Sequence, residues 1–363
     1  MKLGILTYHR SHNNGALLQA LALREFLCSL GHNVSFIDYW PKYHKSMYAL
    51  YDVVLVRQLS PLKKLKYLIR NTLILPKKII RRRAFNSFIR KNIEPFTLNY
   101  NDNIQYDAII YGSDQIWRKQ GRLKNKYNEI YFGENSLSAD MHISYAASMG
   151  EVNLSLKDKK FLYSHLSKYV GVGVREKDLY KELKDIDLTH VNINIDPTFL
   201  LPVEFWYNKF NLKPLVAGSY VLFFNLMSGS FNKEMIEDYA KRKGLKLIIL
   251  EGAVNNIFRR KDTLETVGPV EFLSLIKNAE VVFTSSFHAL AFSIIFQKQF
   301  WAAFKCNSER ARTLLNELKI ENRLIDGTIP LEDVHSQIDY ELVRSQLDIL
   351  VDKSKKFLMN SIK

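Results

Sequence analysis

Residues 281–300, VVFTSSFHALAFSIIFQKQF, read as a buried strand running straight into a helix, and the chain organises around that junction. Val281, Val282 and Phe283 are an apolar β-forming run, Thr284, Ser285 and Ser286 are cap-type residues, and 287–296 is apolar enough for a core helix. His288 breaks the pattern. On the first turn after a parallel strand an imidazole stands where open α/β sheets bind ligands, beside free helix N–H groups that favour anions. The competing reading is a helix-start histidine hydrogen-bonded locally.

Outward from this junction the chain alternates strand and helix in both directions. Toward the N-terminus lie a strand over 220–226, a helix over 232–243, a strand over 246–250 and a helix over 269–279; toward the C-terminus, a strand over 300–304, a helix over 311–318 and a last amphipathic helix over 340–358. The first half repeats the scheme. A strand over 2–8, a polar loop holding Asn14 and Gly15, a helix over 16–30 stopped by Gly31 and a strand over 33–39 make an opening βαβ unit. Further strands are read at 106–111, 142–148 and 171–174. At 363 residues the length suggests about two domains. The expected class is α/β: two Rossmann-like domains, residues 1–205 and 206–330, with residues 331–363 packing back across the junction.

An apolar fraction of 47% and a charged fraction of 25% are those of a globular protein. Cys28 and Cys306 are far apart and lack metal spacing, so neither a disulfide framework nor a zinc site is expected, and a reducing compartment fits. The opening MKLGILTY reads as a strand rather than a signal peptide, and no uncharged run reaches membrane-spanning length. The net charge of +15 is concentrated. Residues 42–91 carry 14 Lys/Arg against a single acid, Asp52, interleaved with apolar and aromatic side chains. That pattern suits helices with a basic and a greasy face. It reads as a solvated helical insertion or as a surface for anionic lipid or a lipid-linked substrate; a nucleic-acid groove is disfavoured because no nucleic-acid module accompanies the charge. The expected location is cytoplasmic, with the inner face of the cell membrane as the docking surface.

Several loops at the strand ends carry polar candidates. Gly15 allows close backbone approach and Asn14 offers an amide, unless the loop merely caps the helix. Gly112, Ser113, Asp114, Gln115, Ile116 and Trp117 follow the 106–111 strand as a polar pocket wall. Arg175 sits where strand becomes helix, placed to hold a carboxylate or phosphate, or to pair locally with Glu176 or Asp178. Asp196, Pro197 and Thr198 read as a turn. Asn307, Ser308, Glu309 and Arg310 precede the 311–318 helix.

Taken in order, NNGALLQALAL (13–23), YDAIIYGSDQIW (106–117), YAASMG (145–150), VGVREKD (172–178), DPTFLL (196–201) and TSSFHALAFSIIFQKQF (284–300) resemble the polysaccharide pyruvyltransferase family. The resemblance runs from Gly4 to about Arg323 and leaves the basic segment outside. It implies a glycosyltransferase-B-like fold, two Rossmann-like lobes facing a cleft with residues 1–205 as the acceptor side and 206–330 as the donor side. It also implies transfer of the enolpyruvyl group of phosphoenolpyruvate onto two hydroxyls of one sugar, giving a cyclic pyruvate ketal and phosphate. The acceptor is a cell-surface polysaccharide or its lipid-linked precursor. By the same resemblance Arg175 and His288 match the family's donor-site arginine and histidine. Some members carry arginine where this chain has Ser286, so Arg310, matching the arginine of an NSR-like segment, is the candidate for the remaining grip, although Glu309 replaces the serine.

The residue types suit that chemistry. A donor with a carboxylate and a phosphate calls for two cationic grips, best made by arginine forks and helix N-termini. His288 is the candidate general acid and Asp114 the candidate group that orients or deprotonates the acceptor hydroxyl, with a structural aspartate capping the 115–117 turn as the alternative. Trp117 is the candidate sugar-stacking face. No acidic cluster of metal-binding type is present, so no metal and no cofactor beyond phosphoenolpyruvate as co-substrate is expected. Alternatives on the same scaffold are a nucleotide-sugar glycosyltransferase and a non-catalytic sugar-binding relative.

Overall fold

The computed structural model describes residues 1–134, 137–258, 261–306, 308–328 and 336–363. The first half of the chain builds β1 (Lys2–Leu6), α1 (Asn14–Ser29), β2 (Asn33–Asp38), α2 (Lys42–Met47), α3 (Val53–Gln58), α4 (Pro61–Asn92), β3 (Thr97–Asn99), β4 (Gln105–Tyr111), β5 (Ser138–Ala147), α5 (Leu156–Leu166), β6 (Gly171–Val174), α6 (Lys177–Lys184) and β7 (Val191–Ile193). The seven strands form one wholly parallel sheet in the order β3-β2-β1-β4-β5-β6-β7. Its centre is apolar on both faces, as parallel sheets covered by helices require: Leu3, Ile5, Ala108, Ile110 and Ile143 on one face, and Leu6, Ile109 and Tyr111 on the other, are inaccessible to solvent.

After the connecting helix α7 (Val203–Lys209) the second lobe follows with β8 (Tyr220–Asn225), α8 (Lys233–Arg242), β9 (Lys246–Glu251), β10 (Thr263–Leu264), α9 (Pro269–Lys277), β11 (Val281–Thr284), α10 (Phe287–Ile295), β12 (Gln299–Ala302) and α11 (Glu309–Glu317). Its five strands are again parallel, ordered β10-β9-β8-β11-β12. The final helix, α12 (Tyr340–Ser361), returns to the first lobe, where Ser354 Oγ accepts from the Ile195 N–H at 3.0 Å. The chain therefore has the expected fold class, two Rossmann-like parallel lobes. Three edge strands, β3, β7 and β10, are absent from the sequence reading, because three, three and two residues leave no periodic run to detect. Asn307 and the 330/331 boundary lie outside the described residues.

The lobes share a core. Helix α1 is buried nearly all round, and Leu17, Leu18 and Leu21 belong to one apolar cluster with Phe272, Leu290 and Phe292 from α9 and α10. Burial of each such leucine is worth about 1.5–3 kcal/mol. The consequence is positional: α1 carries the β1–α1 loop directly against the start of α10.

The basic segment folds as α2, α3 and the 32-residue α4, which contains Pro76. Part of its charge clasps the second lobe: Lys77 Nζ lies 3.0 Å from Glu265 Oε2, Arg81 donates to the carbonyls of Glu265 (3.0 Å) and Gly252 (2.8 Å), and Arg70 donates to the Asn255 carbonyl (3.1 Å). Along the outer side of α4, Leu62, Leu65, Ile69, Leu73 and Ile80 are each more than half exposed, at spacings that put them on one stripe. Among the described residues no helix is long and apolar enough to cross a membrane.

Candidate active site

Three strand-to-helix junctions converge between the lobes. At the end of β11, Thr284 Oγ1 accepts from the Ser286 N–H (3.0 Å) and Ser285 Oγ accepts from the N–H groups of Leu226 (3.0 Å) and Met227 (2.9 Å), fixing the turn. Ser286 Oγ then caps α10 by accepting from the Ala289 N–H at 3.4 Å. Its oxygen thereby caps the helix start while its O–H stays available to donate. His288 follows on the first turn, 7% exposed.

The second junction follows β7. Asp196 Oδ1 accepts from the backbone N–H (3.0 Å) and hydroxyl (2.7 Å) of Thr198, which fixes the carboxylate and leaves Oδ2 for other partners. Those partners come from both lobes: Arg175 Nη2 at 2.9 Å and His288 Nε2 at 3.4 Å. Burial pushes the Asp196 carboxyl up, but Arg175, then His288, then the Thr198 N–H outweigh it and hold the group well below the usual carboxylate range. Asp196, read from the sequence only as part of a turn, is therefore the hinge of the constellation. Its signals in the sequence are the Asp-Pro-Thr cap pattern and its place in the DPTFLL segment, neither of which reveals the far partners.

The third junction follows β6. Arg175, 3% exposed, also hydrogen-bonds Ser113 Oγ from the β4 loop and lies 5.1 Å from the Phe287 ring centroid. Arg310, on α11, lies 5.1 Å from the same centroid, so one phenyl ring is flanked by two guanidinium groups. Burial and then the like charge of Arg175 lower the Arg310 pKa. Nε and Nη1 of Arg175 and Nε of Arg310 have no hydrogen-bond partner among the described residues. Buried N–H donors without acceptors are costly, and three on adjacent cations make a ready anion site. A cavity of about 70 Å³, lined by Arg175, Asn194, Asp196, Phe287, Arg310 and Thr313 among others, opens beside them.

Glu176, fully buried, was read only as a possible local partner of Arg175. Its Oε1 instead accepts from Ser148 Oγ and from the Gly150 N–H at 3.2 Å, and burial raises its pKa although Arg310 opposes the shift.

From the first lobe, Asn13 rather than Asn14 caps α1, its Oδ1 accepting from the Ala16 N–H at 3.2 Å. Asn14 is the first helical residue, and its Oδ1 is buried without a partner among the described residues. A Cβ built on Gly15 would lie 2.0 Å from His288 Nδ1, so only glycine admits the imidazole here.

Asp114 is partly buried. Its Oδ1 accepts from the Gln115 N–H at 2.7 Å, which is the capping role anticipated as an alternative, and its charge acts on Arg310 and on the histidine of α2, His44. His44, stacked on Tyr8 with ring centroids 4.3 Å apart, was passed over because it is embedded in a run of lysines and arginines. Trp117 corrects the sequence reading. Its indole is fully buried, stacks on Phe132 and donates Nε1–H to the Tyr131 carbonyl at 2.9 Å, so neither face is free for a sugar.

Among the described residues, no group of three or more His, Cys, Asp or Glu side chains is placed to hold a metal ion.

Comparison with solved structures finds matches over nearly the whole chain to proteins named as epimerases and glycosyltransferases. A UDP-GlcNAc 2-epimerase from Methanocaldococcus jannaschii is 11% identical with a TM-score of 0.46, covering 97% of this chain and 93% of that one. The glycosyltransferase SnogD from Streptomyces nogalater is 9% identical with a TM-score of 0.44, covering 99% of each chain. No curated protein matches this chain. Residues 13–303, from the Asn13 cap through β12, match the family model described as polysaccharide pyruvyl transferase, a span that takes in every junction described above except Arg310. The chain belongs to the polysaccharide pyruvyl transferase family.

Proposed function

We propose that this chain transfers the enolpyruvyl group of phosphoenolpyruvate to two hydroxyls of one sugar, on a cell-surface polysaccharide or its lipid-linked precursor, forming a cyclic pyruvate ketal. The observation that carries the reading is the single carboxylate of Asp196 tying Arg175 of one lobe to His288 of the other, with unpartnered guanidinium N–H groups alongside.

In this reading Arg175 and Arg310 hold the carboxylate and phosphate of the donor. His288, oriented by Asp196, gives a proton to the donor methylene as the first sugar hydroxyl attacks the enol carbon and forms a C–O bond. The C–O bond to phosphate then breaks, and the second hydroxyl closes the ketal. Of the two hydroxyl protons released, one restores His288 and the other leaves with phosphate. Asp114, adjacent to the serine that bonds Arg175, orients the acceptor hydroxyl, and Asn14 and Gly15 complete that wall. The exposed apolar stripe of α4, flanked by Lys63, Lys66 and Arg70, docks the enzyme on the anionic inner face of the cell membrane.

The test is mass spectrometry of candidate glycans incubated with the protein and phosphoenolpyruvate. A mass gain of one pyruvate ketal is expected. A thermal shift with nucleotide sugars and none with phosphoenolpyruvate would contradict the assignment.

A further inference from the structure

A cavity of about 380 Å³ lies between the β1–α1 loop, the start of α2 and the C-terminal half of α4, outside the donor cluster. Five cations line it: Arg10, Lys45, Arg82, Arg83 and Arg90. Its one carboxylate, Glu94, is spent on Arg10 at 3.2 Å, and Arg10 also forks onto Asp38. Among the described residues, no carboxylate lies within ion-pair distance of Lys45, Arg82, Arg83 or Arg90. The excess positive charge is therefore not balanced by ion pairs among the described residues. His12 lies in the same wall, where burial, opposed by the Asn86 hydrogen bond and reinforced by Arg82 and Arg81, lowers its pKa to about 4. Trp40 adds an aromatic wall, and its indole N–H has no acceptor among the described residues.

The cavity also has a fixed relation to the reaction centre. His12, in its wall, is three residues before Gly15, the position that packs against His288. The β1–α1 loop therefore carries both a wall of this cavity and the contact with His288. Guanidinium forks match the oxygens of phosphate groups in a bidentate way, and four unpaired cations suit a multiply charged phosphate better than the single charge of one sugar carboxylate.

We propose that this cavity binds a phosphate-class group carried by the acceptor, a diphosphate or phosphodiester at one end of the glycan, and so presents the sugar hydroxyls to His288. The inference rests on the transferase reading for the identity of the acceptor, but the binding site itself does not depend on catalysis.

The probe is inorganic pyrophosphate, titrated calorimetrically into the full chain and into an Arg82→Ala/Arg83→Ala variant. Both side chains are exposed, so the fold should persist, and the thermal midpoint checks it. Affinity should fall by about tenfold or more in the double variant. An Arg175→Ala variant separates the donor cluster and should retain pyrophosphate binding. A second arm distinguishes an acceptor phosphate from a lipid headgroup: sedimentation of the double variant with phosphatidylglycerol vesicles should stay close to that of the unmodified chain. The proposal is overturned if the unmodified chain does not bind pyrophosphate, if the double variant binds it equally well, or if vesicle sedimentation is lost in step with pyrophosphate binding. None of these readouts involves phosphoenolpyruvate, so failure of the transferase reading would show separately.

Discussion

Gly15 and His288 belong to different lobes, yet the imidazole occupies the space a Cβ at position 15 would fill, with Nδ1 2.0 Å from it. The contact makes the ring position depend on how the two lobes meet. Gly15→Ala should therefore displace the ring while α1 survives, since alanine is the better helix former by about 1 kcal/mol. Transfer should fall roughly a hundredfold, the scale expected for misplacing a reacting group by about 1 Å. Steady-state kinetics paired with circular dichroism checks this.

Asp196 positions both Arg175 and His288 and is completely buried, so its loss has two signatures. Asp196→Asn removes the charge opposite a buried guanidinium and should cost about 3–5 kcal/mol of stability. It should also lower kcat more than it raises KM for phosphoenolpyruvate, because the proton donor loses its orientation. Denaturant unfolding and kinetics on the same preparation separate the two effects.

Stability should fall on the acid side of neutrality. Burial lowers the pKa of both His12 and His44 to about 4, whereas in the unfolded chain they titrate near 6.5. Between those values the unfolded chain binds more protons, so the stabilisation is complete above about pH 6.5 and is lost as pH drops to about 4. The depressed carboxyls of Asp196 and Asp38 extend the loss below the ordinary aspartate range. Thermal midpoints across this window should decline, and the decline should be shallower in His44→Gln.

The apolar stripe on α4 gives a prediction independent of catalysis. Leu65→Glu with Leu73→Glu should abolish sedimentation with anionic vesicles, and added salt should weaken the binding of the unmodified chain. Turnover of a water-soluble acceptor should be unchanged. Equal binding of the unmodified chain to neutral vesicles would remove the electrostatic part of the proposal.

The parallel strands were legible because a strand covered on both faces is a continuous apolar run, as in the central Val281, Val282 and Phe283. Arg175 and His288 were legible as polar breaks at strand ends. Their meeting was not, since the Asp196 that joins them is 21 residues from one and 92 from the other, and only tertiary packing brings them together. Trp117 misled for a related reason. An indole at a polar strand end looks like a ligand platform until its N–H finds the Tyr131 carbonyl in the core. The basic run was legible as charge, but not its division into a clasp on Glu265, an exposed apolar stripe and an arginine-lined cavity, which depends on where α4 crosses the second lobe.

The most direct test of the donor cluster is phosphate release from phosphoenolpyruvate in the presence of acceptor glycan, compared between the unmodified chain and folded Arg175→Ala and His288→Ala variants. Acceptor-dependent release by the unmodified chain, with near-complete loss in both variants, is the expected result. Full release by either variant would contradict the assignment of this cluster as the site of pyruvyl transfer.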